Sequence, residues 1–294
     1  MVNNFTHLHL HTEYSLLDSI IQIPELVKYC QEVGMTSCAI SDHGVLGGVI
    51  TFYESFKKAG MHPLVGCESY LTNNPDGLFN EDKIRDNYHA LLIAKDSIGY
   101  ERLLKLSSNA ALNNFYYKPR IYREYLRELG GHVVMGSGCL GGVLAAKLEW
   151  ELDQYGRAIV CIDKDGMIAK EVEYYLNIFG DDFYLELMVY DSDDNYQKVY
   201  NQWLLNLGRD RKIPFIITAD CHYLRKEDAM LHEILMAMQL KQTLQEYRDN
   251  NNMKYGPYFY VASPEEMLER AKSLNCEEAY YNTIEVANKC NVEI

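Results

Sequence analysis

Residues 5–18 read Phe5-Thr6-His7-Leu8-His9-Leu10-His11-Thr12-Glu13-Tyr14-Ser15-Leu16-Leu17-Asp18, and the reading of the fold turns on them. Phe5–Leu10 reads as a strand, with polar and apolar residues alternating from His7 to His11. Alternate strand positions face one way, so His7, His9 and His11 are expected on one side. His9 and His11 fall at the C-terminal end of the strand, where β/α barrels build their sites. A lone histidine is usually structural. Three at period two, with an acid at Asp18, favour metal binding, because imidazole and carboxylate both ligate divalent metals. His7 lies nearest the barrel floor and is expected to be structural or to support the ligands.

Working outward, short apolar runs alternate with amphipathic segments, the pattern of β/α units and a parallel sheet. The other strands are expected at Ser37–Ser41, Leu64–Leu71, Tyr88–Ala94, His132–Ser137, Phe183–Val189 and Phe215–Ala219. Helices are expected from Pro24 to near Gly34 and near Thr51–Ala59, Gly99–Leu112, Arg123–Leu129, Leu140–Trp150, Glu171–Phe179 and Tyr196–Asp210. Seven units predict an α/β fold, a distorted seven-stranded (β/α)7 TIM-like barrel over residues 1–239. Residues 240–294 read as a helical C-terminal extension, in which Ser263-Pro264-Glu265-Glu266 is a strong helix start. Asn73–Asn87 is polar, carries Pro75 and Gly77, and reads as an exposed loop.

Further ionisable residues recur at the expected strands or their ends: Asp42-His43, Glu68, His89, Cys139, and Asp220 with His222. Each alone has an ordinary structural explanation. Asp42 can hold a backbone amide, Cys139 can fill a small core space, and Asp220 can end a strand in a turn. Together they converge on one cup, and burying them jointly is costly unless cations fill it. His62, His132 and His232 are assigned to structure. Cys67 and Cys221 alternate with the candidate ligands and should point away. The 24 tyrosines are assigned no role.

Composition narrows the function further. The formal net charge of −14 argues against a free-standing, tight nucleic-acid binder, whose affinity comes from neutralising phosphates. A nucleic-acid substrate would need delivery by something else. The eight cysteines contain no C-x-x-C pair and read as reduced thiols, not as a disulfide framework. No run reaches the ~18 apolar residues of a membrane span. Met1–Asn4 does not begin a secretory leader. A soluble cytoplasmic protein with no membrane partner is expected.

The quoted segments, His7-Leu-His-Leu-His-Thr-Glu-Tyr-Ser-Leu-Leu-Asp18, Ile40-Ser-Asp-His-Gly44 and Gly66-Cys-Glu68, resemble the PHP (polymerase and histidinol phosphatase) domain family. The resemblance is to the branch found in the α subunit of bacterial DNA polymerase III. It continues through Arg85-Asp-Asn-Tyr-His89, Tyr116-Tyr-Lys-Pro-Arg120, Ser137-Gly-Cys-Leu-Gly141, Asp220-Cys-His-Tyr223, Phe259-Tyr-Val-Ala-Ser-Pro-Glu-Glu-Met267 and Cys290-Asn-Val-Glu293. It implies a three-metal centre. By position, one ion takes His9, His11, Glu68 and Asp220. A second shares Glu68 and adds His89 and Cys139, and a third takes Asp18, His43 and His222.

The resemblance also implies metal-dependent phosphoester hydrolysis, in the polymerase branch a proofreading 3′–5′ exonuclease acting on DNA 3′ ends. Glu68, Asp220, His43 and His222 would stand nearest the chemistry, with Lys118 and Arg120 as phosphate contacts. A polymerase core or other replication proteins would be partners. The mixed donor set suits Zn²⁺, Mn²⁺ or Fe²⁺. Cys139 tilts the bound ion toward zinc, with manganese able to support the best activity. Competing readings are a non-catalytic scaffold, a small-molecule phosphatase and an amidohydrolase. No stretch resembles the paired catalytic aspartates of a polymerase palm.

Overall fold

The computed structural model describes residues 5–74, 85–190, 195–250 and 257–294. Its strands are β1 (Ser37–Ile40), β2 (His62–Thr72), β3 (Tyr88–Ala94), β4 (Phe115–Tyr116), β5 (Lys118–Tyr122), β6 (Val133–Gly136), β7 (Glu149–Leu152), β8 (Ala158–Ile162), β9 (Phe183–Met188) and β10 (Phe215–Thr218). The α-helices are α1 (Ile23–Glu32), α2 (Val49–Lys58), α3 (Ser97–Asn113), α4 (Met167–Phe179), α5 (Tyr196–Arg211), α6 (Ala229–Gln239), α7 (Leu244–Asn250), α8 (Pro264–Ser273) and α9 (Glu278–Lys289). The loop expected at Asn73–Asn87 lies largely outside the described residues.

Local chemistry accounts for the helix boundaries. Pro24 occupies the first turn of α1, and Ile23, Leu26, Tyr29 and Cys30 make its buried stripe. Asp96 caps α3 by accepting the Gly99 N–H at 2.8 Å. Ser263 and Glu266 close the capping box expected at the start of α8.

One curled sheet runs β10-β9-β6-β3-β2, with β1 on the far side of β2. The stretch containing His7 to His11 closes it. Ala39 N donates to His7 O at 2.8 Å and Ser41 N to Leu10 O at 2.9 Å. On the other side Cys221 N donates to His9 O at 3.1 Å and His11 N to Cys221 O at 2.9 Å. Seven staves result, in a distorted TIM-like barrel. Leu8, Ala39, Leu64, Leu91, Val134, Tyr184 and Ile216, one from each stave, pack together as its interior. Each fully buried aliphatic among them contributes about 1.5–3 kcal/mol relative to exposure.

Several sequence expectations need correction. The sheet is mixed, because β3 runs antiparallel to both β2 and β6. No helix intervenes among the described residues between β2 and β3, so the chain does not make the crossover that parallel pairing requires. In place of a helix at Leu140–Trp150 there is a 3-10 turn at Ala145–Lys147, then the β7–β8 hairpin. Arg123–Leu129 is helical but 3-10. Apart from these corrections, Val286, Ala287 and Cys290, on or just after α9, pack into the interior cluster of the barrel. Among the described residues no helix is long and apolar enough to cross a membrane.

Candidate metal centre

The irregular first stave places its histidines differently from a flat strand. The chain bends at His9, so the three imidazoles do not share one face. His7 turns away, with Nε2 2.8 Å from Ala262 O and Nδ1 3.5 Å from the Cys221 thiol. Burial pushes its pKa down to about 4. His9 and His11 enter the cup.

Glu68, in the middle of β2, is the hub. Its Oε1 lies 3.3 Å from His9 Nε2 and 3.0 Å from His89 Nδ1, and its Oε2 lies 2.8 Å from His43 Nδ1 and 3.5 Å from His11 Nε2. His89 reaches the rim only because β3 is reversed. It stands second in its strand, opposite Tyr70 of β2, and would sit at the floor of a parallel stave. Cys139 follows β6, with Sγ 3.7 Å from His89 Nδ1 and 4.0 Å from Glu68 Oε1.

On the other side of His11, Asp220 Oδ1 lies 3.1 Å from His11 Nε2 and 3.3 Å from His9 Nε2. Asp220 has φ +49, a left-handed turn at the end of β10. Its carbonyl accepts the His222 Nδ1–H at 2.7 Å, which aims His222 Nε2 at Asp18 Oδ2, 3.0 Å away. Asp18 Oδ2 is also 3.1 Å from His43 Nε2. The nine expected side chains therefore lie in one connected cluster. Within it, three sets have donor atoms close enough to share an ion: His9, His11 and Asp220; His43, Glu68 and His89; and His11, Asp18, His43 and His222.

Electrostatics bind the cluster together. Burial disfavours charge on His9, His11, Asp18, His43, Glu68, Cys139, Asp220 and His222, but mutual attraction outweighs it for six of them. His89, His43 and His9 hold Glu68 well below the carboxylate range, and the histidines beside Asp18 and Asp220 do the same for those acids. Glu68 and Asp18 raise His43 to about 10. The carboxylates Glu186, Asp220 and Glu68 lift His9 well above its usual value, and Asp18 and Asp220 raise His222. His11 goes the other way, to about 3, through burial and the neighbouring His43 and His222. Burial and nearby Glu68 push the Cys139 thiol up.

The donors suit divalent metal. His9 Nε2, His43 Nδ1 and Glu68 Oε2 are buried without a hydrogen-bond partner, although His43 Nδ1 and Glu68 Oε2 are only 2.8 Å apart. Buried polar groups normally find partners. Imidazole and carboxylate donor atoms packed this closely fit a shared cation once the imidazoles are neutral. The supporting contacts leave ligating nitrogens free in the same way. His9 gives Nδ1 to Glu186 Oε1 at 2.6 Å. Glu186 is itself held by the Thr218 hydroxyl at 2.6 Å and the Gly138 N–H at 3.1 Å. This carboxylate–histidine pairing is the usual way a metal-binding imidazole is oriented.

Glu186 is absent from the sequence reading, yet it left a signal: one acid within Phe183-Tyr-Leu-Glu-Leu-Met188, all buried. Asp42 also supports the site. It accepts the Thr12 N–H at 2.6 Å and the Ser15 hydroxyl at 2.8 Å, and Ser15 Oγ is 3.4 Å from His11 Nδ1.

Above the cluster opens a cavity of about 630 Å³ whose walls include Asp18, His43, Tyr70, His89, Phe115 and Lys118. Lys118 Nζ bonds the Tyr70 hydroxyl at 3.2 Å, and the Tyr70 ring stacks on His43 with centroids 5.6 Å apart. Arg120 does not face this space. It is fully buried, and its guanidinium bonds the Asp86 carboxylate at 3.2 Å, so it braces the sheet edge and not a phosphate. His62, His132 and His232 lie outside the cluster; His232 Nε2 is 2.8 Å from Asp18 O and steadies that loop.

Comparison with known proteins adds to this geometry. A family model described as the PHP domain matches residues 7–189. The DNA polymerase III subunit alpha of Campylobacter jejuni is 37% identical over 296 residues, covering 100% of this chain and 24% of the relative. The subunits named alike from Helicobacter pylori and Aquifex aeolicus are 39% and 38% identical, over 99% and 98% of the chain. The chain spans about a quarter of the length of these curated relatives.

Proposed function

The chain belongs to the PHP domain family, and on that premise we propose that it is a metal-dependent phosphoesterase, acting as a 3′–5′ exonuclease on DNA 3′ ends. The observation that carries the reading is the set of buried, unbonded donor atoms on His9, His43 and Glu68, which face one another below an open cavity. One ion would be held by His9, His11, Glu68 and Asp220, a second by Glu68, His89 and Cys139, and a third by Asp18, His43 and His222. Divalent ions at such sites supply Lewis acidity and lower the pKa of water toward neutrality.

The protein's own contributions follow from position. Glu68 reaches donors on both sides of the cup and fixes their spacing. Glu186 and Asp220 O hold His9 and His222 in the tautomers that present Nε2 to the centre. Lys118 is the one lysine or arginine among the described residues lining the cavity, and Tyr70 steadies it to receive a phosphate oxygen. Zinc is the expected resident ion, with manganese or iron also suited to the donors. A polymerase core or other replication protein would present the strand, since the relatives are named DNA polymerase III subunit alpha.

The test combines metal analysis with digestion of a 3′-labelled single strand. We expect bound transition metal, a melting temperature that drops on chelation, and release of 3′ nucleotides that Asp220→Asn abolishes. Protein that takes up no transition metal on reconstitution would end the proposal. A panel of phosphomonoesters run beside DNA ends separates a small-molecule phosphatase, and metal-loaded protein inert on both is a scaffold.

A further inference from the structure

The β4–β5 hairpin, Phe115 to Tyr122, places aromatic side chains at the cavity mouth that the metal centre does not use. Phe115 is 51% exposed and Tyr117 62% exposed, and both line the cavity that contains His43 and His89. Exposed aromatics scattered singly need no explanation, but two on the wall of one cavity fit a binding surface. Tyr117 stands at the tip between Tyr116 and Lys118, which pair across the hairpin, and has φ +60. That conformation is strained for a bulky residue, and such strain gathers at functional positions. Arg85 supports the ring, its guanidinium 4.2 Å from the centroid and bonded to the hydroxyl at 3.0 Å.

The hairpin is also fixed in place relative to the cup. Gly44 follows His43 with φ +66, and a Cβ there would lie 2.8 Å from Pro119 and 3.1 Å from Tyr70. Close approach of β5 to the His43 loop therefore depends on a missing side chain. On another segment bordering the cavity, Leu16 is 82% exposed. The space thus joins three chemistries: acids and imidazoles for cations, one ammonium for a phosphate, and aromatic faces beside it. A flat, π-faced group attached to a phosphate complements all three, and base stacking on aromatics is how proteins hold single strands without reading sequence.

We propose that Phe115 and Tyr117 form a base-stacking subsite at the mouth of the metal cavity, so that the favoured phosphodiester carries an unpaired nucleobase beside its scissile phosphate. This rests on the phosphoesterase reading and names its substrate class. The probe is a short single-stranded oligothymidylate with phosphorothioate linkages and a 5′ fluorophore. Its partner has the same length but lacks the 3′-terminal bases. Affinity is measured by fluorescence anisotropy at low salt on the metal-loaded chain, beside cleavage of bis(p-nitrophenyl) phosphate.

The base-bearing strand should bind at least about 10-fold tighter than the abasic one. Phe115→Ala and Tyr117→Ala should each shrink that gap, and Tyr117→Trp should keep it. Circular dichroism confirms that the exposed substitutions leave the fold intact. Equal affinities for the two strands, no measurable binding, or variants that weaken both strands equally would overturn the subsite. A rim that instead docks another protein gives the first of those results. Cleavage of the small diester with base-indifferent binding overturns the subsite alone. Base-dependent binding with no cleavage of the small diester upholds the subsite, and digestion of the 3′-labelled strand then decides the phosphoesterase reading separately.

Discussion

At the scale of single residues, Glu186 tests whether the cluster is built for metal. It touches no expected ion position and acts through His9. Glu186→Gln keeps the shape but can turn its amide toward His9 Nδ1 and lose the fixed tautomer. Metal affinity should fall about 10- to 100-fold, as for other supporting carboxylates, with far-ultraviolet circular dichroism unchanged. Unaltered affinity by competition with a chelating dye would show that His9 is oriented by something else. The ionisation pattern supports a second expectation for the chelated protein. His9, His43 and His222 are raised above 6.5, so their stabilisation is complete below that value and fades as pH climbs through their raised values, about 10 for His43. Asp18, Glu68 and Asp220 are depressed, so their stabilisation holds above about 4.5 and is lost toward acid. His7, His11 and His232 are lowered and favour the upper part of that window. The urea midpoint of metal-free protein should therefore peak near pH 6 and decline above 6.5. Bound metal needs neutral imidazole and should abolish the decline. A metal-free midpoint that rises from pH 6.5 to 9 would contradict these shifts.

At the scale of elements, the reversed β3 is what completes the cup, and it shows where sequence reading stops. The seven staves were legible, because short apolar runs between amphipathic helices report burial directly. Their directions were not, because an apolar strand reads the same both ways and the β2–β3 connection carries no helix to force a crossover. The candidate ligands on and near the strand ends were legible from period and residue type. Glu186 was hidden by its own burial among apolar neighbours, and the bend at His9 by the regular alternation of His7 to His11. The turn after β6 is equally silent in hydropathy but exacting in space. A Cβ on Gly142 would lie 2.4 Å from Ser137 O and 2.7 Å from Cys139 O. The same turn pairs with β3, through His89 N to Gly141 O at 3.0 Å and Val143 N to His89 O at 3.2 Å. Gly142→Ala should therefore shift Cys139 and His89 together. We expect a loss of about 1–3 kcal/mol, typical of overpacking, and weakened binding of the ion that those two residues share. A cobalt-substituted sample reports this through its thiolate-to-metal absorption band, which should fade in the variant. Loss of stability with an unchanged band would mean that the turn does not set the Cys139 position, and a parent protein without the band would mean that Cys139 is not a ligand.

At the scale of the whole molecule, charge decides how a nucleic-acid end would be met. The formal charge of −14 repels a phosphate chain, and bound divalent ions would offset only part of it. Lys118 is the single cationic side chain among the described residues lining the cavity. Affinity drawn from backbone neutralisation scales with the number of phosphates contacted, with a slope of log K against log salt near −0.7 per contact for single strands. One or two contacts give a slope of about −0.7 to −1.4, far shallower than a groove built from many lysines and arginines would show. Anisotropy titrations of a single strand across a range of salt concentrations should find weak binding with that shallow slope. Whatever base stacking adds should appear as an offset that salt leaves alone, since stacking releases no counterions. A slope steeper than about −3 would require a basic track, and with it this chain would need no partner to bring it the strand. A shallow slope means that tight engagement has to come from outside the barrel, and turnover should then rise when a polymerase core that grips the duplex presents the 3′ end.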